Sequence, residues 1–109
     1  MKLTVFYDYI CPFCYLTSKS LEPLSREFGL DIEWKGIEIH PEYPSTGQKS
    51  SGSLKSRKAA EIIKGSAKET GTDIVLPGFK TNSRLSLEAS EFAKTRNRFK
   101  SFHDSVYEA

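Results

Sequence analysis

The sequence predicts an α/β fold in which a short strand, a long helix and a second strand form one parallel βαβ unit, with further helices after it. Three observations predict it. Leu3-Thr4-Val5-Phe6-Tyr7 is a near-continuous β-prone run, the pattern of a strand buried on both faces in a parallel sheet. Leu16, Leu21, Leu24 and Phe28 then recur along one stripe of a helix. Beyond Gly29, the stretch from Asp31 to Ile39 alternates again, through Ile32, Trp34, Ile37 and Ile39. A strand–helix–strand order implies a right-handed crossover and a parallel pair.

Each element has local reasons. Pro12 suits the first helical position, where its missing N–H costs nothing. Pro23 falls inside the helix and is expected to bend it a turn earlier. Gly29 stands where a left-handed cap ends a helix. Gly36 interrupts the second alternation, which signals a bulge or a close contact. Glu42 to Ser53 is rich in Pro, Ser, Gly, Thr and Lys and reads as a mobile, partly disordered loop. A second helix is expected over Leu54 to Lys68, with Ile62, Ile63 and Ala67 as its apolar side and Gly71 closing it. Asp73 to Lys80 reads as irregular, with a turn at Leu76-Pro77-Gly78. Thr81-Asn82-Ser83 supplies capping residues for a third helix, Ser83 to Thr95. Arg96-Asn97 marks a break before a fourth, Arg98 to Glu108.

Composition narrows the function classes. A chain of 109 residues holds one domain at most and a modest core. A net charge of +2 is too weak and too scattered for a nucleic-acid partner. The basic residues from Lys49 to Lys58 lie among serines and read as a solvated loop and helix start. No apolar run approaches a membrane span, so no membrane partner is expected. Met1-Lys2 leads straight into the first strand without a secretory pattern, and a cytoplasmic setting is expected. In that compartment a cysteine pair is more often catalytic or metal-binding than a structural staple.

The chemistry concentrates in Cys11-Pro12-Phe13-Cys14, which holds both cysteines of the chain. At a helix start, unpaired backbone N–H groups and the positive end of the helix dipole favour a thiolate. The thiolate is the nucleophile of thiol–disulfide exchange. Cys11 is the candidate nucleophile, expected to be exposed; Cys14 is the resolving thiol, expected to be covered by the helix. The competing reading is a pair of inert core thiols. A strand, a short turn and Cys-x-x-Cys opening a helix favour a thioredoxin-like redox motif. Phe13 has no ionisable group, so the helix start alone is expected to lower the Cys11 pKa. Phe13 is either an apolar contact for protein substrates or ordinary packing. Asp8 either accepts a proton near Cys14 or holds the turn through its side chain. Tyr9 and Tyr15 either line the cleft or belong to the core. A zinc site would need two more ligands, and His40 and His103 lack paired ligand spacing, so no metal is expected. His103 is expected at the edge of an apolar stripe.

Tyr7-Asp8-Tyr9-Ile10-Cys11-Pro12-Phe13-Cys14-Tyr15 resembles the active-site segment of the DsbA-like thiol:disulfide oxidoreductases, in particular the cytosolic FrnE-type branch. Asp8, Phe13 and Tyr15 match that branch's pattern, and Trp34-Lys35-Gly36-Ile37-Glu38-Ile39-His40-Pro41 resembles its second strand and corner. The stretch from Thr81 through Ala89, Phe92, Phe99 and His103 to Tyr107 resembles the start of its helical insert. The resemblance implies a thioredoxin-like βαβ unit, residues 1–41, followed by a loop and the beginning of an α-helical insert, residues 42–109, with the sheet incomplete. It implies Cys11 and Cys14 as catalytic residues supported by Asp8, Pro12, Phe13 and Tyr15, and dithiol or disulfide partners. No resident cofactor is implied, glutathione being a candidate co-substrate.

Family members continue through a cis-proline loop, two more strands and a last helix, whereas this sequence reaches Tyr107-Glu108-Ala109 in mid-helix by pattern. Pro77 is placed in a turn, not in that loop. A truncated fold with one bare sheet edge follows as an expectation. Its helices would carry exposed stripes at Leu85, Phe92, Phe99, Phe102 and Val106, and a homodimer would cover them. Two other readings stand beside the first. One is a relative of 2-hydroxychromene-2-carboxylate isomerases or kappa-class glutathione transferases, against which a second thiol at Cys14 argues. The other is a non-catalytic fragment that self-associates.

Overall fold

The computed structural model describes residues 1–50, 52–76 and 78–109. The chain runs β1 (Lys2–Tyr7), α1 (Pro12–Phe28), β2 (Asp31–Gly36), β3 (Gln48–Lys49), α2 (Leu54–Thr70), β4 (Phe79–Lys80), α3 (Arg84–Thr95) and α4 (Phe99–Glu108). β1 and β2 pair in parallel, Leu3 opposite Ile32 and Val5 opposite Trp34, as the βαβ pattern requires. Gly29 closes α1 in the left-handed conformation, φ 61°, and Gly71 does the same for α2, φ 67°. Pro23 lies inside α1, which continues past it to Phe28.

Tyr7 organises the packing. Its ring is buried and its hydroxyl donates to Ser90 Oγ of α3 at 2.7 Å, while Ser90 in turn donates to the Leu87 carbonyl. Gly36 is there for close approach. A Cβ at Gly36 would lie 2.9 Å from Leu87 Cδ2 and 3.5 Å from the Tyr7 hydroxyl, so the end of the Leu87 side chain would have to shift to admit it. Lys94 of α3 also donates to the Trp34 carbonyl, tying the same helix to β2. A second cluster joins the two long helices: Leu16 of α1 meets Ile63 and Ala67 of α2, with Ile74 and Leu76 against them.

Several expectations are corrected. β1 is not buried on both faces: Tyr7 is covered, but Phe6 is 58% exposed, because α3 and α4 cover one face of a sheet of only two strands. Leu24 and Phe28 are exposed, since α2 meets α1 near Leu16 and not along the whole stripe. Ile62 is exposed while Ile63 is buried, a consequence of the 100° step between neighbours on a helix that packs on one side. β2 ends at Gly36, leaving Ile37 and Ile39 exposed beyond it. Of the stripe expected on the last helices, Leu85 and Phe92 are exposed, whereas Phe99, Phe102 and Val106 are half-buried because α4 folds back over the sheet.

The expected loop from Glu42 to Ser53 contains β3, which pairs antiparallel with β4. Asn82 Nδ2 also donates to the Tyr43 carbonyl at 2.7 Å, and His40 stacks on Tyr43 at 4.5 Å. Asn82, and not Ser83, supplies the side-chain cap of α3, accepting from Arg84 N at 3.0 Å. The turn expected at Pro77 lies outside the described residues.

Candidate redox site

The site is built where β1 turns into α1. After Tyr7 the chain reverses, and Asp8, fully buried, holds the reversal. Its carboxylate accepts from Ile39 N at 2.8 Å and Ile10 N at 3.4 Å, and its carbonyl accepts from Cys11 N at 3.1 Å. One side chain thereby fixes the entry to α1 and the corner after β2. This geometry favours the turn-holding reading of Asp8. The carboxylate still raises the pKa of both cysteines by its charge, after hydrogen bonding and burial.

Cys11 is the N-cap of α1, with extended backbone at φ −93° and ψ 111°, and Pro12 opens the helix. The N–H groups of Cys14 and Tyr15 donate to the Cys11 carbonyl at 3.1 and 3.3 Å. Both thiols are free, and both are half-buried. The expected contrast of an exposed Cys11 and a covered Cys14 is therefore corrected: Pro12 starts the helix directly between them, so the first turn carries both at one depth.

Their electrostatics differ all the same. The Cys14 thiol donates to the Cys11 sulfur, and this bond, with the N–H groups of Cys14 and Phe13, outweighs burial and pushes the Cys11 pKa down to about 6. The same bond and burial push Cys14 up, since losing its proton would strip Cys11 of its donor. The expectation that the helix start alone lowers Cys11 is corrected. The backbone N–H groups take part, but the neighbouring thiol has the larger effect.

The other candidates fall into place around the pair. Phe13 is 47% exposed at the helix start. Tyr15 packs on Tyr107 of α4 with ring centres 5.2 Å apart, and Lys19 lies over its ring. Tyr9 turns away from the cysteines into the core, its hydroxyl 3.1 Å from His103 Nδ1. Burial raises its pKa.

His103 is not at the edge of a stripe. It is buried among Tyr7, Tyr9, Trp34, Phe99 and Tyr107, with ring centres 4.8 to 5.4 Å away. Burial lowers its pKa to about 4, so the imidazole is neutral. His40 lies on the surface, beside Glu42. Among the described residues no three ligand side chains gather for a metal.

Sequence reasoning missed Ser18 and Tyr107. Ser18 stands one helical turn after Cys14, a spacing that was available as a signal. Tyr107 lies far away in sequence and meets Tyr15, next to Cys14, because α4 folds over α1. Its pKa is raised by burial and then by the charges of Cys14 and Cys11, which places its hydroxyl within electrostatic reach of both. A wider groove of about 570 Å³ lies elsewhere, between Trp34 of β2 and Lys94, Phe99 and Lys100, and no cysteine lines it.

Residues 2–109 match the family model of the DSBA-like thioredoxin domain. The chain is 24% identical, over 111 aligned residues, to the uncharacterized protein YwbO of Bacillus subtilis (strain 168), covering all of this chain and 56% of that protein. The crystal structure of a probable DsbA oxidoreductase from Streptomyces coelicolor superposes with a TM-score of 0.77 at 19% identity, over 98% of this chain and 52% of that one. The chain therefore spans about half the length of the relatives it matches.

Proposed function

This chain belongs to the DSBA-like thioredoxin domain family, and we propose that it is a thiol:disulfide oxidoreductase in which Cys11 attacks and Cys14 resolves. The observation that carries the reading is the polarised pair. Cys11 is acidified to about 6 at the N-cap of α1, and the partner thiol that acidifies it keeps its own proton. A thiolate at neutral pH beside a protonated thiol is what the two half-reactions need. Cys11 attacks a substrate disulfide and expels one thiolate. Cys14 then loses its proton, attacks Cys11 Sγ and releases the second, leaving the Cys11–Cys14 disulfide and a reduced substrate.

Asp8 holds the turn, Pro12 opens the helix, Phe13 offers an apolar contact and Tyr15 backs the pair. Protein dithiols and disulfides are the proposed substrates, with glutathione as a co-substrate, in the cytoplasm. Residues 1–41 carry the chemistry, and residues 42–109 form the loop and helical segment that covers it. The isomerase and glutathione transferase alternative is disfavoured, because Cys14 would compete with bound glutathione for Cys11.

Iodoacetamide labelling across pH with peptide mapping tests the assignment. Modification should fall on Cys11 with an inflection near pH 6, and dominant labelling of Cys14 would overturn it. Insulin reduction by this chain should be weak beside that of a full-length relative, while exchange with small dithiols persists. Self-association belongs to the same proposal. Among the described residues β1 pairs only with β2, and Phe6, Leu85 and Phe92 are exposed, so a symmetric dimer through the free edge is expected in light scattering at low micromolar concentration.

A further inference from the structure

Four of the chain's five tyrosines and its only tryptophan lie in one file that ends beside the thiols. Trp34 meets Tyr7 with ring centres 5.9 Å apart, and Tyr7 meets Tyr9 at 5.2 Å. Tyr9 meets Tyr107 at 5.1 Å, and Tyr107 meets Tyr15 at 5.2 Å. Edge-to-face contact is how buried rings ordinarily pack. What sets this file apart is its composition, its two ends and the base at its middle. Trp34, half-buried, lines the groove of about 570 Å³ at β2. Tyr15 follows Cys14 in the chain, and its N–H donates to the Cys11 carbonyl at 3.3 Å. Indole, phenol and thiolate are the side-chain groups that most readily give up a single electron, and ring contact lets an electron step along the file.

A phenol that loses an electron must also lose its proton. The Tyr9 hydroxyl lies 3.1 Å from His103 Nδ1, and burial keeps that imidazole neutral. His103 Nε2 has no hydrogen-bond partner. A hydrogen on Nε2 can rest against the Tyr7 or Tyr107 ring, which stand at 86° and 90° to the imidazole, whereas a bare lone pair there would find no donor. The tautomer this favours carries its hydrogen on Nε2 and leaves Nδ1 to accept from Tyr9. The fifth tyrosine, Tyr43, stands outside the file, stacked on His40.

We propose that Trp34, Tyr7, Tyr9, Tyr107 and Tyr15 form a path along which the Cys11–Cys14 thiols deliver electrons to a small oxidising radical that strikes the groove at Trp34. The radical takes one electron from the indole and becomes its anion. Tyr9 refills the indole through the Tyr7 ring between them, and the Tyr9 proton moves to His103 Nδ1. The Cys11 thiolate refills Tyr9 through the rings of Tyr107 and Tyr15, becoming a thiyl radical, and the proton returns from His103 to Tyr9. Cys14 then releases its proton to solvent, and its sulfur joins the Cys11 thiyl in a disulfide radical anion. A second oxidising radical takes the odd electron. Two radicals are thereby reduced to anions, one dithiol is oxidised to the Cys11–Cys14 disulfide and one proton is released. The path needs the thiols but no disulfide substrate, so it stands or falls apart from the exchange reading.

Pulse radiolysis of the reduced full chain in anaerobic azide solution tests it, because the azidyl radical attacks indole in preference to phenol and this chain has one indole. The Trp34 radical absorption should decay in a first-order process at a rate independent of protein concentration. Both thiols should then be lost to titration with 5,5′-dithiobis(2-nitrobenzoate). In His103→Phe the decay should slow about a hundredfold, the contribution of a positioned base. Tyr9→Phe, which keeps the ring, should slow it at least as far, and Tyr43→Phe should leave it unchanged. Thiol loss per radical should fall in both slowed variants to the level of Trp34→Phe, where only direct attack on the thiols remains. Far-UV circular dichroism certifies the fold of each variant. A wild-type decay whose rate rises with protein concentration would overturn the path without recourse to any variant. Decays in His103→Phe and Tyr9→Phe that overlay the wild type, or thiols that survive the loss of the Trp34 radical, would overturn it as well.

Discussion

The two sides of α1 are held by different means. Toward the sheet, β1, β2, α3 and α4 close over a cluster of rings, Tyr7, Tyr9, Trp34, Phe99, His103 and Tyr107, in mostly edge-to-face contact. On the opposite side, α2 meets α1 through Leu16, Ile63 and Ala67. The ring cluster joins residues nearly a hundred positions apart, as Tyr9 and His103 show, whereas α2 rests on a few aliphatic groups in the middle of the chain. The thiol pair sits at the N-terminus of α1, where the ring cluster, through Asp8 and Tyr107, fixes its surroundings. Reactive geometry therefore depends on the aromatic side, and α2 serves mainly as cover.

The contrast can be broken at its strongest point. Tyr7→Ala removes a buried ring, leaves Ser90 Oγ without its donor and opens a cavity under three elements, a loss of about 3–5 kcal/mol. Urea denaturation should show a sharply lowered midpoint, since whole domains are stable by only about 5–15 kcal/mol. A loss below 1 kcal/mol would mean that the ring cluster is not the organising core.

A smaller effect sharpens it through pH. His103 is buried neutral, with its pKa lowered to about 4, while an unfolded histidine titrates near 6.5. Between those values the unfolded chain binds the extra proton, so stability is full above about pH 6.5 and falls as pH drops toward 4. The group facing the ring's Nδ1 is the Tyr9 hydroxyl, and Asp104, Lys100 and Lys94 supply the nearby charges. Integrated over the window, the loss is at most about 3 kcal/mol. His103→Phe should flatten the pH dependence between 4 and 6.5 in thermal melts, and an unchanged slope would place the titration elsewhere.

The smallest effects lie on α2. Ile63→Ala, in the buried contact with Leu16, should cost about 2 kcal/mol, and its exposed neighbour Ile62→Ala less than about 0.5 kcal/mol. Equal costs by chemical denaturation would show that α2 packs on a different face. Neither variant should change the pH at which Cys11 is labelled.

Much of this was legible in the residues themselves. Pro12, Gly29 and Gly71 act through local backbone chemistry, and each stands at the helix end that its type marks. Cys11-Pro12-Phe13-Cys14 placed the candidate site, and the order strand–helix–strand placed the parallel pair. β3 and β4 were not legible, because two-residue strands carry no periodicity and pair only when Gln48 meets Lys80 across a long separation.

The sequence by itself determined the helix boundaries, the parallel pairing and the position of the two thiols, because those depend on neighbours within a turn or a short connection. The tertiary structure alone decided which apolar side chains stay uncovered, as Phe6, Ile62 and Phe92 do, because burial depends on which helix lies opposite. It also decided that His103 is neutral and buried and that Tyr107 packs on Tyr15 beside the cysteine pair. Both follow from α4 folding back over the sheet and α1, a long-range contact that no local pattern of residues encodes.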